Sequence, residues 1–174
     1  MDKKEMMDVR VAGIDASTNK SGVSIMCDGA LEYYILIDLH KEKDVMKRIS
    51  MMMVKICEII NEYDVDQIYM EKSICKGGNV DTTQKLSFLM GGIMLYCAQN
   101  KIEFINPLPS EWRKKIGLRQ SSKVKRDELK EEAICAVKQE YDLDVNDDVA
   151  ESILLARSAF DLPKIDVSED DLWC

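Results

Sequence analysis

Hydrophobic and polar positions follow two rhythms along the chain, and the changes of rhythm mark out its elements. Val9-Arg10-Val11-Ala12-Gly13-Ile14-Asp15 is short, mostly apolar and ends on a carboxylate, as a buried strand would. A polar turn spans 16–22, and Val23-Ser24-Ile25-Met26-Cys27 reads as the returning strand. Asp28-Gly29 supplies a hairpin turn into Leu31-Glu32-Tyr33-Tyr34-Ile35-Leu36-Ile37-Asp38, the third strand of an antiparallel meander. From Asp44 to Tyr63 the period becomes helical, with Val45, Ile49, Met52, Ile56, Ile59 and Ile60 on one stripe. Met51-Met52-Met53 is expected to fill core space.

Residues 66–72 form a short fourth strand ending near a second carboxylate, Glu71. A loop signal at 75–79 precedes a helix from Asp81 to Asn100, striped by Leu86, Leu89, Met90, Ile93, Met94 and Cys97. Gly91-Gly92 in its middle costs ~1 kcal/mol per glycine relative to Ala. Close approach of another helix or backbone explains that cost, and so does a kink or an early helix end. Ile102-Glu103-Phe104-Ile105 is the fifth strand, and Pro109-Ser110-Glu111-Trp112 starts a short helical turn. Residues 117–122 read as a basic loop. A helix over 123–141 turns Val124, Leu129, Ala133, Ile134 and Val137 inward, and a last helix covers 148–160 behind an Asn146 or Asp147 cap. The predicted fold is therefore α/β: a five-stranded mixed sheet, three antiparallel strands followed by alternating strands and helices, flanked by helices.

Length narrows the organisation. The 174 residues suit one domain over 1–160, followed by an acidic tail over 161–174 that is expected to fray. No apolar run approaches the ~20 residues of a membrane span, and Met1-Asp2-Lys3-Lys4-Glu5 has no apolar signal core behind it. A cytoplasmic or other reducing, DNA-containing compartment is expected. The six cysteines are scattered without a C-x-x-C pair, which argues against a zinc site or a disulfide framework. His40, the single histidine, lies in a charged context and is expected at the surface, which excludes a His-based nucleophilic triad.

Charge changes the picture more. The net charge is −8, yet Arg113, Lys114, Lys115, Arg119, Lys123, Lys125, Arg126 and Lys130 crowd one stretch, opposed only by Asp127 and Glu128. A basic segment inside an acidic chain points to one anionic partner surface. In a mixed sheet of this order, the ends of the first and fourth strands lie side by side, which brings Asp15 and Glu71 together. Asp148 and Glu151, three apart at a helix start, add two more carboxylates on one face. Four such groups repel one another unless cations sit between them. Hard oxygen ligands select Mg²⁺ or Mn²⁺, and two such ions ~4 Å apart clamp a phosphodiester for hydrolysis.

With these residues the sequence resembles the RuvC family of Holliday-junction resolvases, within the RNase H-like superfamily, as a divergent phage- or organelle-like member. The resemblance is carried by Gly13-Ile14-Asp15 with Gly22, by Tyr69-Met70-Glu71 and by Asp148-Val149-Ala150-Glu151-Ser152, and in element order it extends to Ala159. It implies a structure-selective endonuclease that resolves four-way DNA junctions as a homodimer, leaving 5′-phosphate and 3′-hydroxyl nicks. Asp15, Glu71, Asp148 and Glu151 match the catalytic, metal-binding carboxylates, with two Mg²⁺ or Mn²⁺ ions implied per site. Asn79, the stretch Trp112-Arg113-Lys114-Lys115 and Lys123 match DNA-contacting positions. Arg119, Lys125 and Arg126 extend that basic segment, and Ile74 falls at the wedge position near the branch point. The helix bearing Gly91 and Gly92 matches the dimer helix. The chain departs from the family at Ala16-Ser17, which replaces Pro-Gly, at Glu151, which replaces Asp, and at Ile74, which is not aromatic. Asp147 beside Asp148 leaves the register of the last motif open. The alternatives are an RNase H-like nuclease acting on other branched DNA or RNA–DNA hybrids, and a non-catalytic junction-binding protein. Half of an actin-like kinase also begins with Gly-Ile-Asp, but it needs a second domain that 174 residues do not provide.

Overall fold

The computed structural model describes residues 8–72, 80–119 and 124–167. Five strands form one sheet in the order β3-β2-β1-β4-β5. β1 (Arg10–Asp15), β2 (Lys20–Cys27) and β3 (Ala30–Asp38) make the antiparallel meander. β4 (Gln67–Met70) runs parallel to β1, and β5 (Glu103–Ile105) runs parallel to β4. The mixed sheet read from the sequence is the one observed, with β1 at its centre.

A central strand has no solvent face, and β1 shows it: Val11, Ala12 and Ile14 are all buried. Alternation sends them to two different cores. Ala12 and Ile14 join Val23, Ile25 and Ile37 beneath α1 (Val45–Glu62) and α2 (Val80–Asn100). Val11 packs on the opposite face with Trp112, Ile153 and Leu154, beneath α3 (Pro109–Ile116), α4 (Arg126–Tyr141) and α5 (Asp147–Arg157).

α5 lies on the sheet itself, and two glycines permit it. A Cβ at Gly13 would fall 2.1 Å from the Ser152 carbonyl oxygen, and one at Gly22 would fall 1.9 Å from that of Asp148. β2 begins at Lys20, three residues before the apolar run that announced it. The early part is polar for two reasons. Ser21 Oγ accepts from the Ser17 backbone N–H at 3.0 Å and donates to the Ser17 carbonyl at 2.8 Å, closing the turn, and Gly22 is the seat of α5. α5 is capped by Asn146, whose side chain accepts from Val149 N at 3.1 Å, so Asp147 opens the helix.

The structure corrects the expected stripes in three places. α2 continues unbroken through Gly91 and Gly92 to Asn100, so neither a kink nor an early end is present. Gly92 abuts the Met53 sulfur of α1, whereas Gly91 faces open space. Met94, expected inward, is largely exposed, because α2 is covered only along its Leu89, Ile93 and Cys97 edge. α4 starts at Arg126 behind Lys125 and buries Glu132 beside Ala133, Ala136 and Val137. The tail is docked through residue 167: Ile165 is buried, its N–H donates to Ile116 O at 2.8 Å, and Pro163 O accepts from Arg157 at 2.7 Å. His40 is exposed and pairs with Asp38 at 2.5 Å. Cys27, Cys57 and Cys97 are free thiols. Among the described residues no helix is long and apolar enough to cross a membrane.

Candidate active site

Strand register assembles the first half of the site. Ile14 of β1 pairs with Met70 of β4 in parallel, so Asp15 and Glu71, the next residues, leave the sheet side by side on neighbouring strands. Such strands lie about 4.8 Å apart. Register and helix seating add the second half. Asp15 pairs with Gly22 across β1 and β2, and the Asp148 backbone rests on Gly22. Glu151 follows one turn later, on the same side of α5.

Electrostatics show that these groups share one region. Burial pushes the Asp15 carboxyl well above its ordinary range, and the charges of Glu151, Glu71, Asp148 and Asp147 push it the same way. Glu71 is raised by burial and by Glu151, against the opposing pull of its Trp112 hydrogen bond and of Arg113 and Arg126. Asp148 is raised by burial and by Asp147, with Lys130 opposing. Asp147 behaves differently. Burial opposes its ionisation, but its hydrogen bond and ion pair with Lys130 outweigh that and leave its pKa lowered. Asp147 is therefore committed to α4, while Asp148 faces the acidic cluster.

The carboxylates converge without collapsing together. Among the described residues no three of them bring oxygens within 4.8 Å of one another. The two glutamates turn to donors on α3 instead. Trp112 Nε1 donates to Glu71 Oε2 at 2.7 Å, and Arg113 Nη2 donates to Glu151 Oε1 at 2.5 Å. A tighter acidic group, Asp8, Cys27 and Asp28, sits by the β2–β3 turn at the opposite end of β1, where Asp28 Oδ1 already accepts from Val9 N at 3.0 Å.

The members of the basic segment have different surroundings. Lys114, Lys125 and Arg126 are exposed, and Arg126 lies close enough to Glu71 to act on its charge. Arg119 is part-exposed and bonds Glu132 at 2.9 Å. Arg113, expected to reach DNA, is only 4 % exposed and is held by Glu151 and Glu132, so it cannot contact an outside phosphate without breaking a buried ionic cluster. Lys115, also expected there, reaches the Ala159 carbonyl at 3.4 Å, past the end of α5 remote from Asp148. Ile74, Asn79 and Lys123 lie outside the described residues.

From sequence alone four participants had other places: Trp112 fell in the stretch matched to DNA contacts, Lys130 among the basic residues, Lys20 in a polar turn although its charge acts on Asp148, and Glu132 was not singled out. One signal was present for Trp112: a single large apolar residue in a cationic run must turn inward.

A mixed sheet with acidic side chains gathered beyond its central parallel strands, served by a basic rim, defines an RNase H-like nuclease. The donor set is oxygen only, and burial together with the neighbouring carboxylates raises the Asp15 pKa, an arrangement that suits divalent cations and not softer metals.

The family model for crossover junction endodeoxyribonuclease RuvC matches residues 11–154, and the chain belongs to that family. It is an endodeoxyribonuclease of the junction-resolving type, and nucleases of this kind depend on divalent metal. Among solved structures, the chain is similar to Thermus thermophilus RuvC in complex with Holliday junction substrate: 13% identity, TM-score 0.67, 86% of this chain and 91% of that one. It is also similar to the Fowlpox virus resolvase in complex with Holliday junction DNA, at 14% identity and TM-score 0.57, covering 87% and 96%. The yeast mitochondrial resolvase Ydc2 aligns at 16% identity and TM-score 0.55, covering 86% and 77%. These likenesses report the shared fold. No curated protein matches the sequence.

Proposed function

We propose that Asp15, Glu71, Asp148 and Glu151 bind a pair of Mg²⁺ or Mn²⁺ ions with which the chain cuts four-way DNA junctions, leaving 5′-phosphate and 3′-hydroxyl ends. The observation that carries this reading is the convergence on Asp15: strand register sets Glu71 beside it, Gly22 seats Asp148 near it, and the charges of Glu71, Asp147, Asp148 and Glu151 all act on this one buried acid. When bound, the cations supply Lewis acidity that activates water and stabilises the leaving oxygen. The chain itself supplies orientation and charge. Asp15 and Glu71 present acids from the ends of rigid strands, Asp148 presents one from the first turn of a capped helix, and Glu151 is steadied by Arg113. Lys130 neutralises Asp147, so Asp148 is the aspartate left for metal. Lys114, Lys125 and Arg126 are placed to neutralise phosphates flanking the cut.

A homodimer accounts for the exposed face of α2. Phe88 is 49% exposed, Leu95 60% and Met94 48%, and Gly91 between them leaves open space for a second copy to approach. Two copies related by a two-fold axis present two identical sites to a symmetric junction.

Purified protein with Mg²⁺ or Mn²⁺ is expected to nick a synthetic four-way junction while sparing linear duplex. No cutting with any divalent ion, or preferential cutting of an RNA–DNA hybrid, overturns this function.

A further inference from the structure

We propose that Trp112 and Arg113, neighbours on α3, are a positioning pair: each fixes one carboxylate oxygen of a different glutamate, Glu71 or Glu151, so that the affinity of the site for a divalent cation depends on the seating of α3. The inference rests on the assignment of the four carboxylates above.

Only the glutamates need such help. Asp15 is short and leaves a buried strand, and Asp148 sits in a helix's first turn, so backbone geometry directs both. A glutamate has an extra rotatable bond, and its freedom must be surrendered before a tight site can form. Trp112 and Arg113 meet that requirement from adjacent positions. The indole N–H takes Glu71 Oε2 at 2.7 Å and the guanidinium takes Glu151 Oε1 at 2.5 Å. Among the described residues, no hydrogen bond reaches the second oxygen of either acid.

The pair is itself braced. Trp112 is fully buried, and the Arg113 guanidinium lies over its ring, 4.8 Å from the centroid. Arg113 also donates to the Leu129 carbonyl at 3.3 Å and lies 3.6 Å from Glu132. Glu132 in turn is bonded by Arg119 at 2.9 Å. Charges thus alternate, Arg119, Glu132, Arg113, Glu151, from the rim to the acidic cluster. A guanidinium held from three sides cannot swing outward, and the acid it holds keeps one orientation. Outer partners of metal-binding groups act in this way, and losing one costs about 10–100-fold in metal affinity.

The test uses the intact protein, its Trp112→Phe variant, which keeps an aromatic ring but loses the donor, and its Arg113→Lys variant, which keeps the charge but loses the fork. Mn²⁺ is titrated calorimetrically without DNA, thermal unfolding is followed in EDTA, and junction nicking is measured against Mn²⁺ concentration. Each variant is expected to remain folded in EDTA, to bind Mn²⁺ about tenfold or more weakly, and to regain most of its cutting rate at saturating Mn²⁺. Folded variants with wild-type Mn²⁺ affinity, or cutting lost beyond rescue by Mn²⁺, overturn the proposal. Collapse of both variants in EDTA overturns it too, because the pair would then be a requirement of the fold. If one variant alone collapses, the other decides by the same readouts. Wild-type protein that neither binds Mn²⁺ nor cuts overturns the site assignment itself. Wild type that does both, beside variants indistinguishable from it, overturns only the pairing.

Discussion

Gly22 of β2 carries the backbone of Asp148: a Cβ at Gly22 would lie 1.9 Å from the Asp148 carbonyl oxygen, far inside contact distance. The same glycine pairs with Asp15 across the strands, so one residue without a side chain sets how close two of the proposed ligands come. Gly22→Ala tests this. In an unconstrained strand the change would stabilise by ~0.4–1 kcal/mol through the unfolded chain. Here α5 must lift, and a net loss of about 1–3 kcal/mol is expected, as for overpacking generally. Urea unfolding midpoints read the sign, and weaker Mn²⁺ binding should accompany the loss. A variant as stable and as active as wild type would show that α5 does not need this seat.

The raised Asp15 pKa makes a prediction with a definite sign. A carboxyl whose folded pKa exceeds its unfolded value holds its proton in the native state where the unfolded chain has released it. Stability from this group therefore falls as pH rises from the ordinary aspartate range toward the folded value, and stays reduced above it. Asp147 and Asp38 act oppositely. Their lowered pKa values add stability above the ordinary range that is lost as pH falls through them, for Asp38 down to about 2. The difference between wild type and Asp15→Asn isolates the first effect. In EDTA near neutral pH the variant should melt higher than wild type, and the gap should close as pH approaches 4. Divalent metal should stabilise wild type and leave the variant almost unmoved. Junction cutting by Asp15→Asn should fall below detection while metal-free junction binding holds or tightens, since a charge facing phosphate is gone.

Position relative to the acidic cluster separates cations that should contact DNA from those that should not. Arg126→Ala is expected to weaken junction binding and lower the slope of log affinity against log salt by ~0.9, the share of one phosphate contact. Lys115→Ala, whose amine lies against the Ala159 carbonyl, should leave both nearly unchanged. Anisotropy titrations over a salt series, with Ca²⁺ to hold the complex uncut, measure both. Equal effects of the two substitutions would place the DNA path elsewhere.

The exposed α2 face gives a prediction about assembly. Leu95→Glu puts a charge on the apolar face beside Gly91 and should yield a monomer by sedimentation with little change in melting temperature, because Leu95 is 60% exposed in the folded chain. The monomer should nick junctions singly and fail to make paired, symmetric cuts. A variant that sediments as wild type would move the interface off this helix.

The chain's own rhythms were enough to order three meander strands, a helix, a strand, a helix, a strand and the closing helices, because side-chain periodicity is a local property of an element with one buried face. The acidic ends of β1 and β4 were legible for the same reason: a polar residue closing an apolar run marks where a strand leaves the core. Local pattern could not say which charges meet. Arg113 and Glu151 are 38 residues apart, and Trp112 and Glu71 are 41 apart. The sequence offered Arg113 as one more cation of the DNA-contacting run, and partners on α4 and α5, Glu132, the Leu129 carbonyl and Glu151, turned it inward to become a counter-charge. The pairing of Asp147 with Lys130, on a helix the motif does not include, was likewise invisible to local pattern, as was the exposure of Met94 on a side of α2 that no described residue covers. What the sequence determined was therefore the kind and order of the elements and the presence of acids at their ends. What the tertiary structure decided was the direction in which each charge points, because that depends on partners brought together only when distant elements pack.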